Sequence, residues 1–413
     1  MDTQEKGTII QTGDKIFNIG VINNANFGSA TENRPFNEYL TKELMNGIRP
    51  YCTIANKFLD LVKSKSDWNQ ITELSNKAKE IIASNYAGII GIQLRKLMAI
   101  GKEPISENKQ MKYIDNCLIT GKRTIQLLCF TLISDLWNKK KEHNFTINEH
   151  GIELYKTLFE SWIELSILEY SKIIECLLST YTENHISFPF KELITINEQL
   201  LSGSKYSDAI IELNKLSETP DLQKYSIKNC DIAEKQLTNL LCTLGFFAGY
   251  KMVSIKNINY EEVRHDRPKY LYNSVSLGMD SKSNINTENL YYYDGPSCTD
   301  SILLYKDNFN NGINLFPFII DLSSLTFEYG VKICFFSCLL DMDENNITYR
   351  FLEDNSTECI TYTGVLKEGI QLNDIINDKE KRKKMRLDTV FNEFREAKKV
   401  LLGSIDLSSL DDL

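Results

Sequence analysis

"GINLFPFIIDLSSLTFEYGVKICFFSC", residues 312–338, is the most apolar run of the chain, and its reading decides the class of the fold. A membrane-spanning helix needs roughly 20 uninterrupted apolar residues. Here Asp321, Ser323, Ser324, Glu328 and Lys332 break the run, and Pro317 and Gly330 oppose a long helix. Two short segments rich in Phe, Ile and Val remain, Leu315–Ile320 and Val331–Leu340, with polar residues between them. That pattern predicts two buried strands and no membrane span.

Around this run, from Gly245 onward, the period is two. Strands are predicted in YKMVSIKNINYEEV, KYLYNSVSLGMD, SILLYKD, LFPFIID, VKICFFSCL, ITYRFLED and ECITYTG, joined by Asp/Asn/Gly loops such as 307–312 and 341–346. Their order predicts a mostly antiparallel, meander-like sheet. From Asn373 to about Leu402 a helical period returns, with Val390, Phe391, Phe394, Ala397, Val400 and Leu401 on one face, before an acidic tail from Asp406 to Leu413.

Upstream, from Pro35 to about Gly245, the period is helical. Pro35 and Gly47 bracket one helix, and Pro50 opens the next. Trp68, Ile71, Leu74, Ala78, Ile81 and Ile82 form one apolar stripe. Tyr155, Leu158, Phe159, Trp162, Ile163, Tyr170, Ile173, Ile174, Leu177 and Leu178 form a longer one. About nine helices are expected, with short polar connectors suited to antiparallel packing and no fixed repeat period. The opening segment differs, since Phe17, Ile19 and Val21 alternate with polar or small residues. That is strand period without enough apolar surface for a core of its own, so this leader must pair with its own domain or with another copy. The expected fold class is α+β: a strand-like leader over residues 1–34, a multi-helix body over 35–246, a mostly antiparallel β-rich module over 247–370, and a terminal helix with acidic tail over 371–413.

The 413 residues are 42% hydrophobic and 25% charged, an ordinary globular composition. The start, MDTQEKGTII, has neither the basic nor the apolar region of a signal peptide, which predicts a cytoplasmic protein. Ten cysteines lie scattered without a CxxC pair, and the four histidines never approach them at ligand spacing. They read as reduced, buried small hydrophobes, and neither a metal nor a cofactor is expected. Cys334 and Cys338 share a strand face but sit roughly 13 Å apart, too far for a disulfide.

Two clusters offer binding chemistry. Arg264, His265, Arg267 and Lys269 fall in a loop between two predicted strands and could present donors to a phosphate or carboxylate. A catalytic use of His265 with Asp266 is disfavoured, because adjacent residues in an extended segment point to opposite sides. The basic run Lys379–Arg386, with Lys381, Arg382, Lys383 and Lys384 at its centre, could contact nucleic acid by charge. It contains no aromatic residue for base stacking, and the net charge of −9 does not favour a dedicated nucleic-acid binder. Both clusters also read as solvated surface. Asp341, Asp343 and Glu344 read as turn residues, and the tyrosines 291–293 as strand packing. Phosphate-loop, HExxH, GxSxG and kinase signatures are absent from the sequence.

The succession GYKMVSIKNINY, RPKYLYNSVSLGM, INLFPFIIDL and KICFFSC, ending in TYTG, resembles a small β-rich accessory module near the C-termini of bacterial conflict and antiphage-defence proteins. The leader DKIFNIGVINNANF is similar to short Asn-Ile-Gly leaders on proteins of that kind. The resemblance covers about a third of the chain and transfers no active site. It implies a non-catalytic regulatory, sensing or adaptor subunit that works through contacts with another protein chain. The strand period of the leader adds homo-oligomerisation through residues 1–30 as a further expectation, and the broken apolar run predicts no membrane contact. The alternative is an enzyme of unrecognised type, acting on nucleic acid or a phosphorylated small molecule through the Arg264–Lys269 loop.

Overall fold

Five helix starts among the described residues coincide with short polar side chains that accept a hydrogen bond from a free backbone amide. Asn148, Ser166, Ser204, Ser226 and Asp378 each do so. At Ser166 the arrangement is reciprocal: the Glu169 amide donates to Ser166 Oγ at 3.2 Å and the Ser166 amide to Glu169 Oε2 at 2.6 Å, a complete capping box.

The computed structural model describes residues 8–12, 15–19, 36–64, 71–143, 145–201, 203–261, 264–265, 269–278, 291–293, 299–307, 309–341, 344–365 and 378–403. In the first two strands and at 63–64, 71–72, 260–261, 269, 291–293 and 310 only the backbone is described. Expectations at Val21, Pro35, Trp68, Arg267, Asp343 and the acidic tail therefore lie outside the described residues.

In chain order the elements begin with β1 (Thr8–Thr12), β2 (Lys15–Ile19), α1 (Glu38–Ile48), α2 (Thr53–Ser64), α3 (Ile71–Asn85), α4 (Gly88–Gly101) and the long α5 (Glu107–Glu142). Then come α6 (Glu149–Glu160), α7 (Ile167–Glu183), α8 (Leu193–Ile196), α9 (Lys205–Glu218), α10 (Asp221–Lys224) and α11 (Ile227–Thr243). The strands β3 (Lys251–Glu261), β4 (Lys269–Ser276), β5 (Tyr291–Tyr293), β6 (Ile302–Tyr305), β7 (Ile313–Asn314) and β8 (Ile319–Asp321) follow. The chain closes with the single turn α12 (Leu322–Leu325), β9 (Ile333–Leu339), β10 (Asn346–Phe351), β11 (Thr357–Thr361) and α13 (Lys379–Leu402). The class is α+β.

Residues divide into two compact units, Met1–Thr124 with Glu198–Lys251, and Ile125–Asn197 with Met252–Leu413. The boundary falls inside α5, so the helical part of the chain is shared between two cores. In the first unit α1 packs against α3 and α11. Gly47 lies inside α1 and is needed for close approach: a Cβ there would meet Cys242 Sγ at 3.0 Å and Cys242 Cα at 3.2 Å. The leader forms a hairpin, β1 against β2, with Ile10 opposite Phe17.

In the second unit the strands form two sheets where one meander was expected. One has the order β5-β4-β3-β6-β7, the other β11-β10-β9-β8. The opening stretch becomes β8, one helical turn and β9. All seven residues of β9 are buried, so both faces of the strand are covered, which is why its sequence is continuously apolar and does not alternate. Phe318 stacks on Phe130 of α5 at 5.5 Å between ring centroids, and Phe394 of α13 lies 4.9 Å from Phe336 and 5.3 Å from Phe159 of α6. Helices and strands thus share one aromatic core. Among the described residues no helix is long and apolar enough to cross a membrane.

Candidate interaction site

The segment between α6 and α7 departs from the expectation for this region. Spacing placed Trp162 and Ile163 in a buried helical stripe, yet α6 ends at Glu160 and the capping box at Ser166 starts a new helix. The two side chains are left 52% and 72% exposed. The loop that carries them is held at both ends. The Leu339 amide donates to the Ser161 carbonyl at 2.9 Å, and Ser161 Oγ donates to the Ile163 carbonyl at 2.6 Å. Beyond them, Arg350 Nε donates to Glu164 Oε2 at 2.9 Å, and Leu165 is buried. Leu340, the residue after the bound Leu339, is 54% exposed.

Charged side chains border that surface. Lys398 Nζ lies 2.9 Å from Glu160 Oε1 and 2.5 Å from Glu344 Oε1. Burial works against its charge, but the hydrogen bonds to the two carboxylates hold the ammonium above its ordinary pKa. Arg395 Nη2 donates to the Glu344 carbonyl at 3.0 Å. Large apolar side chains on a fixed backbone inside a polar border are the composition of a protein-binding hot spot.

The sequence-selected residues behave otherwise. Arg264 and His265 sit in an exposed turn between β3 and β4, while the side chains of Arg267 and Lys269 lie outside the described residues. In the basic run Lys381 and Lys383 are half-buried, and Arg382 and Lys384 are exposed on the first turns of α13. The guanidinium of Arg382 stands over the Phe327 ring at 5.3 Å and that of Arg386 over the same ring at 4.2 Å. Arg386 Nη1 also donates to Asp300 Oδ1 at 2.8 Å and to the Ser324 carbonyl at 3.2 Å.

No protein-family model, curated protein or solved structure matches this chain.

Sequence reading missed the buried ionic groups. In the second unit Asp321 is fully buried. Its Oδ2 accepts from Ser254 Oγ at 2.7 Å and from Lys256 Nζ, and its Oδ1 from the Lys332 amide at 2.9 Å. Lys256 is the extra residue of a β-bulge, since Ile255 pairs with Ser274 and Asn257 with Asn273; a bulge re-aims the side chain it inserts. Asp300, also buried, accepts from Ser324 Oγ at 2.7 Å. Asp388 accepts from the Thr363 and Val365 amides at 2.7 and 2.9 Å. These carboxylates are committed to internal donors, as buried charge requires. Among the described residues no group of three or more His, Cys, Asp or Glu side chains could hold a metal ion. Burial pushes the Cys230 and Cys242 thiols up to about 12, which keeps them protonated and poorly nucleophilic at neutral pH.

Proposed function

We propose that this chain is a non-catalytic regulatory, sensing or adaptor subunit of a bacterial antiphage defence system, working in the cytoplasm by binding another protein chain. The observation that carries the binding role is the exposure of Trp162 and Ile163 on a loop pinned by backbone and ion-pair contacts. Tryptophan is enriched among residues that dominate binding energies, and a pre-fixed loop loses little conformational freedom on association. The defence setting is supported by the resemblance of the β-rich module and the leader.

The test is co-expression of the tagged chain with the products of genes adjacent to its own, comparing wild type with Trp162→Ala/Ile163→Asp. Both positions are exposed, so the variant is expected to fold. A neighbouring product that forms a stoichiometric complex with wild type and not with the variant, together with loss of phage protection by the variant locus, is the expected result. Equal complex formation by both chains, or full protection by the variant, overturns the proposal.

A further inference from the structure

The basic run at the start of α13 has no aromatic residue of its own, but the fold brings one beside it. We propose that the loop Phe327–Lys332 and the first two turns of α13 form a binding face for single-stranded nucleic acid. In it Tyr329 is the stacking platform for a base, and Lys379, Arg382 and Lys383 neutralise phosphates.

The loop is well held. The Thr326 amide donates to the Leu322 carbonyl at 2.9 Å and the Glu328 amide to the Ser323 carbonyl at 2.8 Å. Phe327 adopts φ 56°, a left-handed conformation that a bulky side chain rarely takes without support from its surroundings. That support includes the Arg382 and Arg386 guanidinium groups over its ring. On the other side Lys256 Nζ donates to the Gly330 carbonyl at 3.0 Å, and the Lys332 amide is fixed on Asp321. Between these anchors Tyr329 is fully exposed. A large aromatic ring held in water by a braced loop is not explained by packing.

The charges divide into two groups. Arg386, Lys256 and Lys332 are paired with Asp300, Asp321 and Glu358, so they position the loop. Lys379, Lys381, Arg382, Lys383 and Lys384 make no ion pair among the described residues. The carboxylates next to them in sequence are the capping Asp378 and Glu380, and Glu328 adjoins Tyr329. At about 100° per residue Lys379, Arg382 and Lys383 fall within the arc of α13 that carries Arg386, whereas Lys381, Lys384 and Glu380 fall on its other side, so this face is positive on a chain whose net charge is −9. A cationic surface beside an exposed ring is how proteins hold single strands without sequence preference, the phosphates on the cations and a base on the ring. Duplexes offer no open base face to such a ring. This inference does not rest on the partner reading above, because Trp162 and Tyr329 lie on different loops.

Fluorescence anisotropy of the full chain with labelled oligothymidine and oligouridine of about 20 nucleotides, at several salt concentrations, tests the proposal; vesicles containing phosphatidylserine form a third arm. Wild type is expected to bind both oligonucleotides with affinity that falls with salt. Tyr329→Ala should weaken binding roughly 5- to 150-fold, the loss of one stacked base. Lys379→Ala/Lys383→Ala should reduce the slope of log affinity against log salt by about 1.4, two single-strand phosphate contacts. Lys205→Ala/Lys228→Ala, two exposed lysines of the first unit, should leave the slope unchanged. Absence of binding to either oligonucleotide at about 50 mM salt overturns the proposal. So does binding that neither variant alters, or vesicle binding that excludes the oligonucleotides.

Discussion

Helix α1 has no side-chain cap of its own. Asn37 at its start is left-handed, with φ 70°, and makes no capping bond. The first turn is capped instead by Glu234 of α11: the Asn37 amide donates to its Oε2 at 3.2 Å, the Leu40 amide to its Oε1 at 3.2 Å and the Tyr113 hydroxyl to its Oε2 at 2.7 Å. Asn37, Leu40, Tyr113 and Glu234 are all buried, so no water replaces a lost acceptor. Glu234→Ala strands two backbone amides at about 1–3 kcal/mol each. Tyr113 is not stranded, because Asn37 Oδ1 lies 2.8 Å from its hydroxyl. The expected destabilisation of the first unit is therefore about 2–6 kcal/mol. Tyr113→Phe removes a donor and leaves the amides capped, and should cost about 1 kcal/mol. The double variant should show a coupling of about 0.5–3 kcal/mol, because the two side chains share one network. Urea unfolding gives these differences, and hydrogen exchange at the Leu40 amide reports the capped turn directly. If Glu234→Ala stays within about 1 kcal/mol of wild type and the Leu40 amide keeps its protection, the long-range cap contributes nothing and the reasoning fails.

Burial raises the Asp300 carboxyl above its ordinary pKa, against the lowering pull of the Ser324 hydroxyl and Arg386. Between the ordinary carboxylate value and the raised folded value, the native state holds a proton that the unfolded chain has released, so this group favours folding more as pH falls through its folded pKa. Asn tolerates the φ of 65° at this position and does not titrate. The stability of wild type relative to Asp300→Asn should therefore increase as pH falls from neutrality towards the ordinary carboxylate value of 3.8, and a flat or opposite trend in urea melts would refute the assignment. For the leader, removing residues 1–30 takes away a hairpin whose strands pair with each other. The truncated chain is expected to have lower mass by light scattering and a melting temperature within a few degrees of wild type. An unchanged mass with a large drop in melting temperature would show that the hairpin completes its own unit.

What could be read from sequence was whatever one element shows by itself. The buried strands β8 and β9 were legible because short apolar runs rich in Phe and Ile stand between polar breaks, and α13 because Val390, Phe391, Phe394 and Leu401 recur on one helical face. Trp162 and Ile163 were misread because apolar spacing ran on through a six-residue break, although the S-x-x-E signature of a new helix stands at Ser166–Glu169. The single meander was an over-reading of strand order, which does not say where one sheet stops hydrogen-bonding to the next. Glu234 and Asp321 had no local signal at all, since the partners of Glu234 lie 121–197 residues away in sequence and those of Asp321 11–67 residues away. Periodicity reports which face of an element is apolar; it is silent about which polar group on one element satisfies a donor on another.

The candidate surfaces follow the same rule. Arg382 and Arg386 were visible as charges, and Phe327 and Tyr329 were visible as two more aromatic residues of an apolar run, but nothing in either segment points to the other. Asp300 and Asp321 join them: one receives Arg386 from α13, the other receives Lys256 and the Lys332 amide on the far side of the loop. The buried carboxylates that look most like chemistry in this unit are thus the supports of the loop, and the groups left for a ligand are the ring and the cations they hold at the surface.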